Sequence, residues 1–306
     1  IGTHERIAGT STIKIYVNGS LLSSSTVGAT SAVNDNSTAA TIGSRFSTGG
    51  SPWNGKIANA KIYTRTLSAA EVAQNYEAQK SKFANTIVQQ GLVLNLDAGN
   101  PYSYAGAGTT WYDTSGNSYN GTLTNGPVYS NVNGGVIVFD GSNDYIDLTS
   151  TSASISGNAA RSVFCWMKTT YTGTLCFIGL GTPANSQAFN LVKYSSNIGV
   201  MGYNNDYYPT SGNAGVTLTD GNWHYIGAVY DGAGTLKIYV DGKLDNQIGA
   251  MSYSTTGQYN YIGRSNHTGA ENFMNGSMSS VNIYNRVLSA AEVLQNYNAT
   301  KGRFGL

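Results

Sequence analysis

The densest group of acidic side chains in the sequence lies in the segment F-D-G-S-N-D-Y at Phe139–Tyr145. Asp140, Asn143 and Asp144 offer the oxygen ligands that a hard cation such as Ca²⁺ prefers. Two further carboxylates would add to that set: Asp97 and Asp113. The spacing is not that of an EF-hand loop, and the same residues suit a turn in which side chains accept hydrogen bonds from their own backbone. The segment therefore predicts either a structural calcium site or a turn.

A second candidate site is the segment Y-N-N-D-Y-Y-P, in which tyrosines alternate with amide and acidic side chains. Tyrosine rings stack on the apolar face of sugar rings, while Asn and Asp bind hydroxyl groups. A polar loop further along the chain would join the site if the fold brings it close. The candidate glycan-binding residues are Tyr203, Asn204, Asn205, Asp206, Tyr207 and Tyr208, together with Arg264, Asn266 and His267. A protein–protein contact, in which tyrosine is also enriched, and an ordinary hairpin tip are the alternatives.

The sequence carries no recognisable catalytic set. Glycoside hydrolysis usually needs two carboxylates that flank the scissile bond, and no predicted strand carries closely spaced Glu and Asp. The three histidines lie in unrelated settings, and the G-x-S-x-G motif of a nucleophilic serine is missing. We therefore predict a protein that binds and does not catalyse, with no catalytic residues.

The composition excludes several classes of partner. Charged residues make up 11% of the chain, and 17 basic side chains balance 16 acidic ones to a net charge of +1. Without a basic stripe the chain is not expected to bind nucleic acid, and no apolar run is long enough to insert in a membrane. The high content of Gly (38) and Tyr (22) suits a β-rich protein with many turns.

A long internal repeat organises the chain. Ile62–Tyr76 and Ile283–Tyr297 are identical at twelve of fifteen positions, and I-K-I-Y-V-N-G at Ile13–Gly19 matches L-K-I-Y-V-D-G at Leu236–Gly242. Upstream, Ile1 matches Ile226. We therefore assign residues 1–84 to the C-terminal part of a first domain, 85–90 to a linker and 91–306 to a complete second domain.

The first copy lacks a counterpart for the N-terminal part of the second, from about Gly91 to Tyr225. Because a β-sandwich does not start in the middle of its core, we expect Ile1 to be a break in a longer natural chain. If Ile1 were instead the translated start, the half-sandwich would have to borrow strands from another chain.

The hydrophobic pattern predicts an all-β fold with one short helix at the end of each copy. Alternating apolar residues in Ile13–Val17 and Leu236–Val240 indicate half-buried strands, and the N-G and D-G pairs that follow indicate tight hairpin turns. Further strands are predicted at Leu92–Leu96, Gly135–Phe139, Val163–Lys168, Cys176–Gly179, Phe189–Lys193, Gly199–Tyr203, His224–Tyr230, Tyr261–Gly263 and Met278–Tyr284. Ser68 with Glu71, and Ser289 with Glu292, fit the capping box that begins a helix.

The two cysteines, Cys165 and Cys176, lie on apolar runs separated by a turn-like T-T-Y-T-G segment. If the runs form a hairpin, the thiols face each other across it. The alternative is two separate small buried residues, so cysteine usage does not fix the redox compartment.

Several segments of the second copy, in this order and spacing, carry a family resemblance. They are L-V-L-N-L-D-A-G-N-P-Y-S-Y (Leu92–Tyr104), W-Y-D-T-S-G-N-S-Y-N-G-T-L (Trp111–Leu123), V-F-D-G-S-N-D-Y-I (Val138–Ile146), D-G-N-W-H-Y-I (Asp220–Ile226), L-K-I-Y-V-D-G and N-R-V-L-S-A-A-E (Asn285–Glu292). The chain resembles the laminin G-like modules of the concanavalin A-like lectin/glucanase superfamily, of the kind seen in phage virion and bacterial surface proteins.

This resemblance implies a jelly-roll sandwich of two antiparallel sheets. It also implies that His224 has a structural role. The resemblance further implies an adhesion or carbohydrate-binding module of a multidomain protein at the extracellular or virion surface, with glycans or host polysaccharide as partners. The alternative is an assembly subunit, such as a capsid decoration or fibre protein, that uses the same loops to contact neighbouring copies. Fold alone does not decide between them.

Overall fold

The fold was obtained as a computed structural model, which describes residues 2–7, 10–28, 42, 57, 60–83, 86–148, 155–256, 259–267 and 272–306. The chain forms two compact units, residues 1–83 and 84–306. No helix among these described residues has the length and apolar character needed to cross a membrane.

The described residues of the first unit form one antiparallel sheet and one helix. Strands β1 (Gly2–Ile7), β2 (Thr10–Val17) and β3 (Ser20–Gly28) pair in that order, and helix α1 spans Ala69–Phe83. The β2–β3 turn has the left-handed φ angles expected of an N-G pair, 50° at Asn18 and 79° at Gly19.

The second unit is a sandwich of two antiparallel sheets, which confirms the predicted all-β fold. The eight-stranded sheet has the order β16-β15-β14-β10-β18-β8-β7, with β4 also paired to β18; the seven-stranded sheet has the order β13-β12-β11-β17-β9-β6-β5. The strands are β4 (Leu92–Asp97), β5 (Thr110–Trp111), β6 (Gly121–Thr124), β7 (Val128–Ser130), β8 (Val136–Asp140), β9 (Tyr145–Asp147), β10 (Arg161–Lys168), β11 (Leu175–Gly181), β12 (Ala188–Tyr194), β13 (Asn197–Met201), β14 (Trp223–Tyr230), β15 (Leu236–Val240), β16 (Lys243–Ile248), β17 (Tyr261–Ile262) and β18 (Asn275–Tyr284). Short 3₁₀ turns occupy Val132–Gly134, Asn213–Gly215 and Lys301–Phe304, and helix α2 spans Ala290–Thr300.

The main core lies between the two sheets. It joins inward residues of the eight-stranded sheet, such as Leu94 and Ile238, to inward residues of the seven-stranded sheet, such as Phe177 and Ile262. A second cluster covers the outer face of the eight-stranded sheet, where Trp166 and Tyr225 pack beneath Val293 of α2. The eight-stranded sheet is therefore covered on both faces. In the other sheet β11 and β12 are also buried on both faces, whereas β6, β9 and β17 carry partly exposed outward residues.

The helix in each unit begins with the predicted capping box. Ser289 Oγ accepts the Glu292 N–H at 3.3 Å, and Glu292 Oε2 accepts the Ser289 N–H at 2.9 Å. Ser68 and Glu71 make the same pair of bonds at 3.3 and 2.8 Å. These reciprocal bonds satisfy backbone donors that a helix start otherwise leaves unpaired.

The two cysteines do not face each other across a hairpin. Cys165 lies on β10 in the eight-stranded sheet, and Cys176 lies on β11 in the seven-stranded sheet. Both are buried free thiols. The hairpin interpretation is wrong because two consecutive strands of a sandwich can belong to different sheets, and the alternative of separate buried residues is correct.

The segment 85–90 is not a linker over its described part, residues 86–90. Val88 is buried, its N–H donates to Asn296 Oδ1 at 2.8 Å, and its carbonyl accepts the Tyr284 hydroxyl at 3.0 Å. These bonds tie the segment to α2 and β18, so it belongs to the second unit.

His224, at the start of β14, has the structural setting that the resemblance implied. Its Nδ1 lies 2.9 Å from Asp241 Oδ2 and its Nε2 lies 3.2 Å from Asp220 Oδ1. Burial lowers the pKa of His224, but the hydrogen bonds and charges of Asp241 and Asp220 outweigh burial and raise this pKa above its ordinary value. Folding therefore favours the charged imidazole.

We predict that His224 stabilises the second unit most in mild acid. A group whose pKa is raised on folding contributes its full stability below its unfolded pKa, about 6.5, and loses it as the pH rises through the folded pKa. The difference in free energy of unfolding between the parent and His224→Gln, from hydrogen exchange of β14 amides, should shrink between pH 5.5 and pH 8.5. Asp241→Asn should show a weaker pH dependence, and a difference that grows with pH would contradict the prediction.

Candidate glycan-binding surface

The outer face of the seven-stranded sheet carries a row of polar and aromatic side chains. In β9 and β17, Ile146 and Ile262 are fully buried in the core between the sheets. Because neighbouring residues in a strand point to opposite faces, Tyr145, Asp147 and Tyr261 point outward. The register places Asp147 directly opposite Tyr261, and also opposite Thr122 of β6.

An arginine holds the two tyrosine rings together. The rings of Tyr145 and Tyr261 meet edge to face with centroids 5.4 Å apart, and the guanidinium carbon of Arg264 lies 4.8 and 4.5 Å from their centroids. The same guanidinium lies 5.5 Å from the Phe273 ring. Each such cation–π contact is worth about 0.5–1 kcal/mol at an exposed site. We call Tyr145, Tyr261, Arg264, Asp147 and Thr122 the tyrosine face.

Two glycines fix the loop that carries Arg264 against the sheet. One has a positive φ angle, and the other is closely approached by the backbone of the loop. Gly263 ends β17 with a φ of +83°, and an added Cβ would lie 2.6 Å from the Phe139 ring. At Gly179, opposite Tyr261 in the register, an added Cβ would lie 2.6 Å from the Arg264 carbonyl oxygen. Side chains at these positions would lift Arg264 away from the tyrosines.

Asn266 anchors this loop and does not face a ligand. Its side chain is buried, with the residue 4% exposed. Its Nδ2 donates to the carbonyls of Leu180 and Gly181 at 3.1 and 2.6 Å, and its Oδ1 accepts from Asn190 Nδ2 at 2.9 Å. The prediction of Asn266 as a contact residue therefore needs correction, because its polar atoms are used inside the fold.

His267 follows the anchor and reaches the other predicted segment. Its ring stacks on Tyr203 with centroids 5.1 Å apart and an angle of 14° between the planes. Tyr203 and Asn204 have left-handed φ angles of 57° and 62°, which end β13 two residues earlier than predicted and turn the chain. Burial, followed by the charges of Cys176 and Asp206, raises the pKa of Tyr203 to about 12.

The rest of the Tyr203–Tyr208 segment divides into exposed and anchoring residues. The side chains of Asn204 and Asp206 are exposed, although Asp206 Oδ1 also accepts the Gly202 N–H at 2.7 Å. Asn205 donates to the Ser252 carbonyl. Two tyrosines hold the segment against the edge of the sheet: Tyr207, which forms a bridge with Val200, and Tyr208, whose ring stacks on Tyr194 with centroids 4.4 Å apart.

The predicted glycan residues thus form two neighbouring groups joined by one loop. Arg264 belongs to the tyrosine face, His267 belongs to the Tyr203 stack, and Asn266 fixes the loop between them. Sequence analysis missed Tyr145 and Tyr261. The signal that could have found them is the alternation Tyr-Ile-Asp at 145–147 and Tyr-Ile at 261–262, where a buried Ile forces its neighbours outward.

A family model described as the concanavalin A-like lectin/glucanases superfamily, in its laminin G branch, matches residues 1–73 and 140–294. These two matches cover most of the chain and include part of each copy. The chain belongs to this laminin G-like family.

Solved structures agree with the laminin G-like fold. Domain 4 of AbnA, an extracellular arabinanase of Geobacillus stearothermophilus, is similar with a TM-score of 0.53 and 20% identity, over 67% of this chain and 98% of that domain. The binding domain of Paraclostridial Mosquitocidal Protein 1 has a TM-score of 0.51 and 12% identity, over 69% of this chain and 52% of that domain. The chain thus spans only about half of the toxin domain. A comparison with curated protein sequences gave no match.

In the laminin G-like domain, Asp140, Asn143 and Asp144 form the turn between β8 and β9. Asp140 Oδ1 accepts the N–H groups of Ser142 and Asn143 at 2.7 and 3.3 Å, and Asp144 Oδ2 accepts the Asp140 N–H at 3.0 Å. Burial raises the pKa of the Asp144 carboxyl above its ordinary value. The three hydrogen bonds are those of the turn, and the calcium site stays a prediction.

The two carboxylates expected to assist that site have other partners. Asp97 Oδ1 accepts from Arg303 Nη1 at 2.6 Å, and Asp113 Oδ1 accepts the N–H groups of Asn95 and Ser115, both at 2.9 Å. Within the part of the chain that the structure describes, no group of three or more His, Cys, Asp or Glu side chains could hold a metal ion.

We predict that Asn266→Ala destabilises the second unit by about 2–3 kcal/mol, because it removes the three hydrogen bonds of a buried side chain and leaves the Asn190 amide without its partner. The free energy of unfolding of each variant is measured by urea titration, with hydrogen exchange of the β11 amides as the probe. Asn131→Ala, at an exposed position with a φ of −79° and no side-chain cap hydrogen bond, is the matched control and should change stability by less than about 0.5 kcal/mol. Equal effects of the two variants would show that Asn266 is not the anchor.

Proposed function

We propose that this protein is a non-catalytic carbohydrate-binding or adhesion module of a multidomain protein at the extracellular or virion surface. The glycan would lie on the outer face of the seven-stranded sheet. The observation that carries the proposal is the tyrosine face: two adjoining tyrosine rings under one guanidinium, with Asp147 and Thr122 in line beside them.

The tyrosine face has the chemistry that sugar recognition needs. The Tyr145 and Tyr261 rings offer apolar surface for the C–H groups of a sugar ring, while Arg264, Asp147 and Thr122 offer donors and acceptors for hydroxyl groups. The rings lie on strands, and Arg264 lies on a loop that Asn266 fixes to β11. A surface that is already ordered loses little entropy on binding.

The Tyr203–His267 stack would extend this surface along the same loop. Asn204 and Asp206 project from the turn beside it and are exposed, so they can bind hydroxyl groups of a second sugar unit. A ligand that reaches both groups would be an oligosaccharide and not a single sugar.

The comparisons support a binding role. The similar domain 4 of AbnA was solved in complex with arabinotriose. That likeness extends to the fold alone, so arabino-oligosaccharides serve as a first probe and are not the assigned ligand. The alternative function, an assembly subunit, requires Asn204 and Asp206 to be covered by neighbouring subunits, whereas glycan binding requires them to be exposed.

We predict that Tyr261→Ala weakens glycan binding at least about tenfold, which is about 1.4 kcal/mol, because it removes half of the aromatic surface and one contact of Arg264. A glycan array that includes arabino-oligosaccharides would first identify a ligand, and calorimetry would then compare the variants. Tyr102→Ala is the matched control, because Tyr102 is 87% exposed on a different loop of the same unit.

Three results would count against the proposal. They are no binding to any glycan on the array, an unchanged affinity of Tyr261→Ala, or an equal loss in Tyr102→Ala. Repeating the array with Ca²⁺ and with a chelator tests the calcium prediction separately, since binding that is lost with the chelator would support a metal site at Asp140.

A further inference from the structure

A polar cavity lies on the outer face of the eight-stranded sheet, beside the C-terminal end of α2. Its volume is about 290 Å³, close to the lower end of the range of small-molecule sites, about 300–1,000 Å³. Four polar side chains line it on the sheet side: Asn95 and Asp97 of β4, and Ser280 and Asn282 of β18. We call it the helix-side cavity.

The alternation of the two strands places these four side chains on the outer face. Leu96 lies between the two residues of β4 and Val281 lies between the two residues of β18, and both are buried in the core between the sheets. Because neighbouring residues of a strand point to opposite faces, the four polar side chains point away from that core. The register pairs the two asparagines with each other, and the serine with the aspartate.

Polar residues are unusual on this covered face of the sheet. Elsewhere the outer face is covered by apolar contacts, as where Trp166 and Tyr225 pack beneath Val293. Ser280 and Asn282 are nevertheless only 4% and 2% exposed. Burial of a polar group costs free energy unless the group is hydrogen-bonded, so the partners of these side chains have to be counted.

The hydrogen bonds of the cavity leave two polar groups without a partner. The Asn95 amide is used at both ends, since its Oδ1 accepts from Asn282 Nδ2 and its Nδ2 donates to Thr114 Oγ1, both at 2.8 Å. The Ser280 hydroxyl and Asn282 Oδ1 have no hydrogen-bond partner among the residues that the structure describes. Both side chains line the cavity, so these two groups are available to a ligand inside it.

The charged groups at the cavity are paired with each other. Asp97 Oδ1 accepts from Arg303 Nη1 at 2.6 Å, and Arg303 Nη2 also donates to the Gly135 carbonyl at 3.0 Å. The carboxylate and the guanidinium neutralise each other, which favours an uncharged ligand. Thr86 and Gln89 line the cavity where it opens, because both are exposed to solvent.

We propose that the helix-side cavity is a second ligand site, which takes one neutral polyhydroxylated ring of monosaccharide size. Hydroxyl groups of such a ligand can donate to Asn282 Oδ1 and accept from the Ser280 hydroxyl. Ile87 and Ala299, which also line the cavity, offer apolar surface to its C–H groups. The cavity and the tyrosine face belong to different sheets, so this proposal does not depend on glycan binding at the tyrosine face.

The test is a titration of the ¹⁵N-labelled chain with four free sugars: glucose, galactose, mannose and arabinose. NMR follows the side-chain amide signals of Asn95 and Asn282. With at least one sugar we expect these signals to move saturably with a dissociation constant in the millimolar range, since a ligand of one ring has few atoms with which to gain affinity. The response should persist in Tyr261→Ala, because that variant alters only the tyrosine face.

Two substitutions with matched controls make the test specific. Ser280→Ala should weaken binding by about two- to tenfold, the value of one hydrogen bond, and should leave the free energy of unfolding nearly unchanged because its hydroxyl has no protein partner. Ser277→Ala, on the same strand but outside the cavity, is its control. Ala299→Leu should block binding by filling the cavity, and Ala291→Leu, at an exposed position of the same helix, should not.

Four outcomes would overturn the proposal. The first is no saturable movement of the Asn282 signal with any of the four sugars. The second is an affinity that neither Ser280→Ala nor Ala299→Leu changes. The third is loss of the response in Tyr261→Ala, which would assign the sugar to the tyrosine face. The fourth is a response to ethanolamine in place of the sugars, which would assign a cationic ligand to the cavity. A chain that binds no glycan on the array but keeps the Asn282 response would contradict the proposed function and support this second site.

Discussion

The packing of two apolar sheet faces against each other determines the rest of this molecule. Ile146 and Ile262 must point into the space between the sheets, where they are fully buried. Because side chains alternate along a strand, this demand also sends Tyr145, Asp147 and Tyr261 to the opposite face. A shift of one residue in either strand would exchange the two sets. The tyrosine face is thus fixed by the core beneath it.

The loop that carries Arg264, Asn266 and His267 is held against the sheet by a glycine and by one buried side chain. Gly179 lets the loop lie against β11, and the buried Asn266 side chain then donates to the carbonyls of Leu180 and Gly181. Arg264 and His267, on either side of this anchor, are held over different aromatic groups. The loop carries Arg264, while the strands carry the two tyrosine rings together with Asp147 and Thr122.

Much of the scaffold could be predicted from local patterns, because those patterns act over a few residues. Capping boxes at Ser68 and Ser289, the left-handed turns at Asn18 and Asp241, and the long strands each depend on near neighbours. The short strands β5, β6 and β7 were missed, since two to four residues are too few to show a period. The Cys165–Cys176 hairpin was wrongly expected because sequence does not show which sheet a strand joins. The same limit explains Asn266, whose buried partners lie more than eighty residues away.

A comparison of the two copies shows which structural features depend only on the repeated hairpin and helix, and which depend on the whole sandwich. The capping box, the turn glycine under a tyrosine and the buried valine of the helix occur in both units, so these features need nothing beyond the repeated segment. Burial of Ile13, Ile15 and Val17 does not follow from that segment, even though the register of the hairpin is the same as in the complete copy. The helix face of the sheet is therefore a local property of the sequence. Its core face in the second unit is buried by strands that are distant in the sequence, such as β11 and β12.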